Sequence, residues 1–397
     1  MSGLSYLEKL LDGVEVEWET LDKLALLRRG RVMSKGYFVD NIGDYPVYSS
    51  QTANNGMIGS IDTFDFDGEF VSWTTDGANA GTVFYRTGKF SITNVCGLIN
   101  IKDSSPLNYK YLFYWLTIEA KKYVYSGMGN PKLMSHQVAK IPVPIPCPTN
   151  PEKSLAIQSE IVRILDAFTA LTNELTNELT NELKLRQKQY NYYREQLLSF
   201  KEGEVEWTEL GEIAEYSKTR ISFEQLDETN YVGVDNLLQN CAGKTQSNYV
   251  PKSGNFTEFR EKDILIGNIR PYLRKIWQAD CVGGTNGDVL VIRCNNNSIS
   301  VRYLYQVLAD GNFFEYNMKC VKGAKMPRGN KEAILKYRIP IPPFNEQIRI
   351  ITILDKFDTL TNSISEGLPR EIELRKKQYE HYRNLLFSFP KPVSADN

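Results

Sequence analysis

One shift of 189 positions (207 − 18) superposes three separate blocks of this chain on three others, and no other feature constrains the fold as tightly. "EVEW" ends at Trp18 and again at Trp207. "QSEIVRILDAFTALTN" from Gln158 is answered by "QIRIITILDKFDTLTN" from Gln347, and "LRQKQYNYYREQLLSF" from Leu185 by "LRKKQYEHYRNLLFSF" from Leu374. About half of the 43 positions that start at Gln158 and at Gln347 are identical in register, more than helical low complexity would produce. Between the blocks the likeness collapses. Residues 19–140 and 208–338 share only scattered marks: Thr93-Asn94 and Thr285-Asn286 before apolar runs, Pro131-Lys132 and Pro327-Arg328, and the exits "IPVPIP" and "IPIPP". The repeat is also cyclic, because the last block ends near Phe389 where the first copy continues into "KEGEVEW", and "LLDGVEVEW" at the N-terminus supplies that junction. Two halves closed in this way predict a pseudo-twofold arrangement.

The repeated blocks are helical and the variable ones are not. From Ile157 to Phe200, apolar residues recur at helical spacing with neither Gly nor Pro between them, which predicts a helix about 65 Å long. Its mate, Asn345 to Phe389, contains Gly367 and Pro369 and is expected to break near its middle. A helix of that length needs a partner, and the copies are predicted to pack antiparallel. In the variable regions "EFVSWTTDG", "GTVFYRTG", "FSITNVCGLINI", "DILIGNIRPY" and "DVLVIRCNN" read as short strands, and each region then carries one helix-like stretch. Pro142, Pro144, Pro146 and Pro148, and Pro340, Pro342 and Pro343, are expected to stiffen the exits into extended linkers. The predicted fold class is α+β: two globular α+β domains separated by two long antiparallel coiled-coil helices with pseudo-twofold symmetry.

Catalytic and metal chemistry find no support. The six cysteines form no C-x-x-C, and His136 and His381 stand apart from them and from each other, so no zinc pattern results. "LLQNCAGKT" offers Gly243-Lys244-Thr245, but Leu238 occupies the position where a phosphate-binding loop needs its first glycine. "IPPF" at 341–344 is similar to the Asn/Asp-Pro-Pro-aromatic signature of methyltransferases that act on amino groups, yet Ile341 replaces the Asn or Asp and no glycine-rich cofactor loop is present. No stretch reaches 18 consecutive apolar residues, which with the charged start "MSGLSYLEKLLDG" predicts a reduced, cytoplasmic protein without a membrane partner.

Binding is the better expectation. With a net charge of −1, a polyanion site must be a local patch. Residues 319–338 supply one, with Lys319, Lys322, Lys325, Arg328, Lys331, Lys336 and Arg338 against the single acid Glu332, on a segment that Gly323, Pro327 and Gly329 mark as a loop. "GNIRPYLRK" adds Asn268, Arg270, Tyr272, Arg274 and Lys275, and Asn286 and Asn330 lie nearby in sequence. Arg and Asn pair bidentately with guanine and adenine edges. In the first variable region the candidates are Ser50, Gln51, Asn54 and Asn55 of "SSQTANNG", Thr75 and Asn79 of "TTDGANAG", and Asn130 and Lys132 of "SGMGNPK". Turn chemistry accounts for such loops equally well.

Two divergent globules, two similar long helices, a cyclic half-repeat and the tandem "TNELTNELTNEL" at 172–183 together resemble the specificity subunit of type I restriction-modification enzymes, most closely the type IC subgroup. "NPEKSLAIQSEIVRILDAFTALTNEL" and "LRQKQYNYYREQLLSFKEGEVEW" carry the resemblance most specifically. It implies a junction segment over 1–18, target recognition domains over 19–148 and 207–343, and similar helical regions over 149–206 and 344–397. Each recognition domain would read one half of a split double-stranded DNA site, and the helical regions would hold two modification subunits, with restriction subunits joining them. The chain itself would use no cofactor; S-adenosylmethionine, ATP and Mg2+ would serve the partner subunits. Each TNEL unit adds about 400° of helix rotation, a net 40°, with about 6 Å of rise, and one base-pair step turns about 34–36°. Copy number would then set the gap between half-sites, with Leu171, Leu175, Leu179 and Leu183 expected to be buried so that the helix is stiff. The alternative is a non-catalytic coiled-coil assembly protein whose globules bind protein partners.

Overall fold

The computed structural model describes residues 6–127, 129–321, 323, 326–363 and 366–390. The chain divides into two units, Met1–Glu174 with Lys376–Asn397, and Leu175–Arg375.

In the first unit eight strands precede the long helix: β1 (Val16–Thr20), β2 (Ala25–Arg29), β3 (Ile42–Tyr48), β4 (Met57–Ile61), β5 (Phe66–Thr74), β6 (Val83–Ile92), β7 (Cys96–Ile101) and β8 (Pro142–Pro146). Six of them form one sheet in the order β2-β7-β5-β6-β3-β4. Side chains alternate across it. Val71, Trp73, Ile99 and Ile101 join a large core with the helix Tyr109–Glu119, while Phe90, Ile92 and Leu98 face a smaller cluster with Phe66 and Phe70. Gly97 makes room for the Trp73 indole, whose ring atoms would lie 2.1 Å from any Cβ there.

In the second unit the strands are β9 (Glu206–Glu209), β10 (Ala214–Tyr216), β11 (Arg220–Ser222), β12 (Tyr231–Val232), β13 (Asn255–Phe259), β14 (Ile264–Gly267), β15 (Ile276–Gln278), β16 (Gly283–Thr285), β17 (Val289–Cys294) and β18 (Arg338–Ile341). Eight of these build two four-stranded sheets, β10-β17-β14-β15 and β11-β13-β16-β12. Ile264, Ile266, Leu290 and Ile292 pack with the helix Val301–Leu308, and Leu265, Val289 and Val291 supply the opposite face.

The proline-rich exits are strands rather than the expected linkers. β8 pairs antiparallel with β1, and β18 with β9. Leu21 N–H donates to the Ile141 carbonyl and Cys147 N–H to Glu15, so Pro142, Pro144 and Pro146 fall on the alternate positions whose N–H would point away from β1. A ribbon strand tolerates proline there.

The repeated helices follow the same register in both units. The helix Pro151–Leu198 is unbroken, whereas its mate divides, as expected, into Phe344–Asn362 and Gly367–Leu386. Gly367 has φ +78°, and a Cβ there would lie 2.4 Å from the Thr359 carbonyl. In the first unit Phe168 stacks on Tyr382 and Thr169 bonds Tyr379, so the two helices run antiparallel. In the second, Phe357 stacks on Tyr193, the same pair 189 positions away. Gln158 accepts from Asn108 N–H (2.8 Å) and donates to the Pro106 carbonyl; Gln347 accepts from Ser300 N–H (2.8 Å) and donates to Ser298 and Pro342. Asp166 holds Lys110 and Tyr114 just as Asp355 holds Arg302 and Gln306. Arg383 donates to Thr117 and Arg194 to the Ala309 carbonyl. Repeated sequence on the helices thus grips the start, middle and end of one helix in each divergent domain. The cyclic closure is visible too: Trp18 donates to the Pro390 carbonyl, and Leu386, Phe387 and Phe389 belong to the first unit's core as Leu197, Leu198 and Phe200 pack on the second's.

The TNEL leucines depart from expectation. Leu171 is 51% exposed and Leu175, Leu179 and Leu183 are only half-buried. A stripe that drifts about 40° per repeat turns about 120° from the first leucine to the last and cannot face one partner. In the second unit the mate helix also ends at Asn362, and a cavity of about 420 Å³ lies beside Leu183, Thr361 and Pro369.

Candidate nucleic-acid interface

Backbone hydrogen bonds draw four loops of the first domain together. Thr93 N–H donates to Tyr48, Thr75 N–H to Val95, Leu133 N–H to Thr75 and Gly77 N–H to Pro131, all at 2.8–3.0 Å. The segments 49–56, 75–81, 93–95 and 125–133, far apart in sequence, therefore form a single surface. Asn54 and Asn55 are exposed there with left-handed backbone, φ 48° and 52°. Asn130 and Lys132 are exposed, and Lys132 lies 4.0 Å from Asp76. Ser50, Gln51 and Asn79 are half-buried; the Asn79 amide reaches the Ser50 carbonyl (3.5 Å) and Gln51 the Met57 carbonyl.

The second domain repeats the arrangement. Arg270 N–H donates to Pro327 and Gly329 N–H to Asn268, matching Gly77 with Pro131 and Leu133 with Thr75. Lys132 bridges to Asp76 and Arg328 to Ile269, so these bases hold equivalent positions. Arg328 is exposed, with Asp288 at 3.1 Å. Arg270 and Tyr272 are exposed, and the short turn Pro271–Leu273 is bracketed by Arg270 and Arg274, both at φ 51°. Non-glycine residues held in that region cluster at functional sites.

The other described candidates are buried or half-buried within the domains. Thr75 is fully buried and accepts from Arg29, and Asn268 is 6% exposed. Arg274 donates to the Ala309 carbonyl, and Lys275 to Val234, where burial pulls its ammonium pKa down. Asn286 is half-buried and accepts from the Asp288 N–H. Asn330 caps the helix Lys331–Leu335 through the N–H groups of Glu332 and Ala333. Lys322 and Lys325 lie outside the described residues.

Sequence reasoning missed exposed bases at matching positions in the two domains. Arg28, Arg29, Arg31 and Lys35 are exposed, and Arg29 reaches into the loop cluster through the Asn94 carbonyl (2.6 Å). In the second domain Lys218 and Arg220 are exposed. Extending the 189-position shift past Thr20 pairs Arg29 with Lys218 and Arg31 with Arg220, a signal that was present in the sequence. Among the described residues no group of three or more His, Cys, Asp or Glu could hold a metal. A cavity of about 600 Å³ in the second unit lies against Arg302, Tyr305 and Asp358.

The family model for the type I restriction modification DNA specificity domain matches residues 15–185 and again 202–374. The chain belongs to the type I restriction enzyme specificity subunits. It is 37% identical to the EcoR124I/EcoR124II specificity subunit of Escherichia coli over the whole of both chains. It is 34% identical to a putative specificity subunit of Haemophilus influenzae, covering 97% of this chain and 98% of that one. Among solved structures it is similar in fold to the type I S subunit of M. genitalium (TM-score 0.50, 18% identity, 96% of this chain and 98% of that one). It also matches a chain from a study of complex assembly in the type I restriction-modification system (TM-score 0.59, 13% identity, 94% and 97%). As a specificity subunit the chain is a non-catalytic part of its complex, which accords with loops built of amides and cations and with histidines exposed singly at His136 and His381.

Proposed function

We propose that this specificity subunit reads a bipartite, asymmetric double-stranded DNA target, residues 19–148 contacting one half-site and 207–343 the other. The observation that carries this reading is the recurrence, in two domains of different sequence, of one loop cluster held by matching backbone hydrogen bonds, with exposed bases at corresponding positions, Arg29 with Lys218 and Arg31 with Arg220. Shared backbone geometry presents different side chains: Asn54, Asn55 and Asn130 on one, Arg270, Tyr272 and Arg328 on the other. Different amides and guanidiniums select different bases. The helical regions 149–206 and 344–397, the parts the two halves share, hold two modification subunits, and restriction subunits join that complex. S-adenosylmethionine, ATP and Mg2+ serve those partners. No helix among the described residues is long and apolar enough to cross a membrane, and the working compartment is the cytoplasm. The test is motif calling on genomic DNA methylated by the subunit with its modification partners; a continuous or palindromic motif would overturn the reading. A gel shift of the assembled methyltransferase at moderate salt separates it from the assembly-protein alternative, which requires no retardation.

A further inference from the structure

Arg86 sits on β6 with 3% of its surface exposed and no carboxylate partner among the described residues. Its Nε donates to Ser72 Oγ (3.1 Å) and its Nη1 to the Asn55 carbonyl (2.8 Å). The guanidinium lies 3.6 Å from the Tyr48 ring centroid and 4.4 Å from that of Phe84. Burial draws its pKa down to about 10, so it remains charged at neutral pH. A cation buried without a counter-ion is costly, and one carbonyl, one hydroxyl and two aromatic faces offset that only in part.

Above it the turn Asn54-Asn55-Gly56 has three successive left-handed residues, φ 48°, 52° and 83°. That conformation is unfavourable for L residues and needs support from its surroundings. Arg86 supplies it by drawing the Asn55 carbonyl inward, while Asn54 and Asn55 remain exposed. The approach is close on this side, since a Cβ on Gly56 would lie 3.0 Å from Arg86 Nη2 and 3.2 Å from the Gln51 carbonyl.

We propose that Arg86 is a positioning residue for base recognition: by anchoring the Asn55 carbonyl from beneath, it fixes the Asn54-Asn55 amides in the orientation that reads one half-site. The proposal rests on the reading of these loops as DNA-contacting. It assigns to a core arginine a role in specificity that packing alone would not require.

The test compares variants in the assembled methyltransferase by motif calling and by methylation rates on cognate and single-mismatch duplexes. Arg86→Met, similar in length and apolar, is expected to lower discrimination about tenfold or more at one or two base positions of one half-site and leave the other half unchanged. Arg86→Lys should recover part of that discrimination. Gly56→Ala disturbs the same turn without emptying the core and should relax the same positions, which keeps the test intact if Arg86→Met does not fold. Asn54→Ala and Asn55→Ala should affect those positions as well, and Arg270→Ala only the other half. If the asparagine variants relax one half-site while folded Arg86→Met or Gly56→Ala keeps the parental motif, the proposal is overturned and the DNA reading stands. Equal loss at both half-sites in Arg86→Met marks a general folding defect; Gly56→Ala then decides, and its retention of the parental motif overturns the proposal. If none of Asn54→Ala, Asn55→Ala and Arg270→Ala alters the motif, the DNA reading itself fails.

Discussion

Gln158 and Gln347 are fully buried amides on helices, positions where glutamine is seldom found, and each satisfies a free backbone group at the start of a domain helix. Replacing either by Ala takes the partner from a backbone N–H and from at least one backbone carbonyl inside the protein, a cost of about 2–4 kcal/mol. Hydrogen exchange should show the loss confined to residues 109–119 for Gln158→Ala and to 301–308 for Gln347→Ala; a uniform loss would refute the modular docking described above. The exposed bases Arg28 and Arg220 act differently from the loops. Arg28 is exposed, and Arg220 is exposed with one hydrogen bond to Thr257 Oγ1, so both are placed to meet phosphate. Arg28→Ala and Arg220→Ala are each expected to lower the slope of log K against log salt by about 0.9 and to leave the methylation motif unchanged. A changed motif would move those residues from phosphate contact to base reading.

At the scale of elements, the unbroken helix Pro151–Leu198 carries the TNEL repeats across the division between the two units, which falls at Glu174 and Leu175. Half-buried leucines mean that the repeat is not held by a dry seam. Leu175→Ala should cost about 1 kcal/mol, whereas Leu165→Ala, fully buried in the first core, should cost about 2–5 kcal/mol; thermal unfolding of the two variants checks the contrast. Rotation rather than burial is then what the repeat contributes. Deleting Thr176–Leu179 removes a net turn of about 40° and is expected to shorten the gap between half-sites by one base pair with both half-sites intact. Deleting Thr176 and Asn177 alone turns the helix by about 200° and should abolish methylation at every spacing. Motif calling on DNA modified by each variant decides this, and an unchanged spacing after the four-residue deletion would reduce TNEL to helical filler.

At the scale of the whole molecule, segments far apart in sequence share one core. Leu7 and Leu11 from the start join Leu386, Phe387 and Phe389 from near the end. A chain ended after Leu386 loses two buried aromatic rings, about 3–5 kcal/mol each, and its first domain should be the one destabilised although the cut lies some 240 residues beyond it. Domain-resolved hydrogen exchange measures this, and a loss centred on the second domain would contradict the cyclic closure.

The duplication, its cyclic order, the long helix, the break at Gly367 and the α+β character of the divergent regions were determined by the sequence alone. Each follows from a periodicity or from a residue whose backbone preference acts locally. Only the tertiary structure decided the rest. Prolines at every second position suit a linker and a ribbon strand equally, and the partner strand more than 120 residues away selects the strand. Asn268, Arg274 and Lys275 have the chemistry of contact residues, yet burial and the carbonyls of Ala309 and Val234 turn the latter two inward. Arg86 drew no notice in the sequence, because an arginine within "FYRTG" reads as an exposed strand residue until Tyr48, Phe84 and the Asn55 carbonyl are seen to enclose it. Local patterns dictate helices and turns because their causes lie within a few residues, whereas the inward or outward sense of a polar side chain depends on groups that only folding brings near.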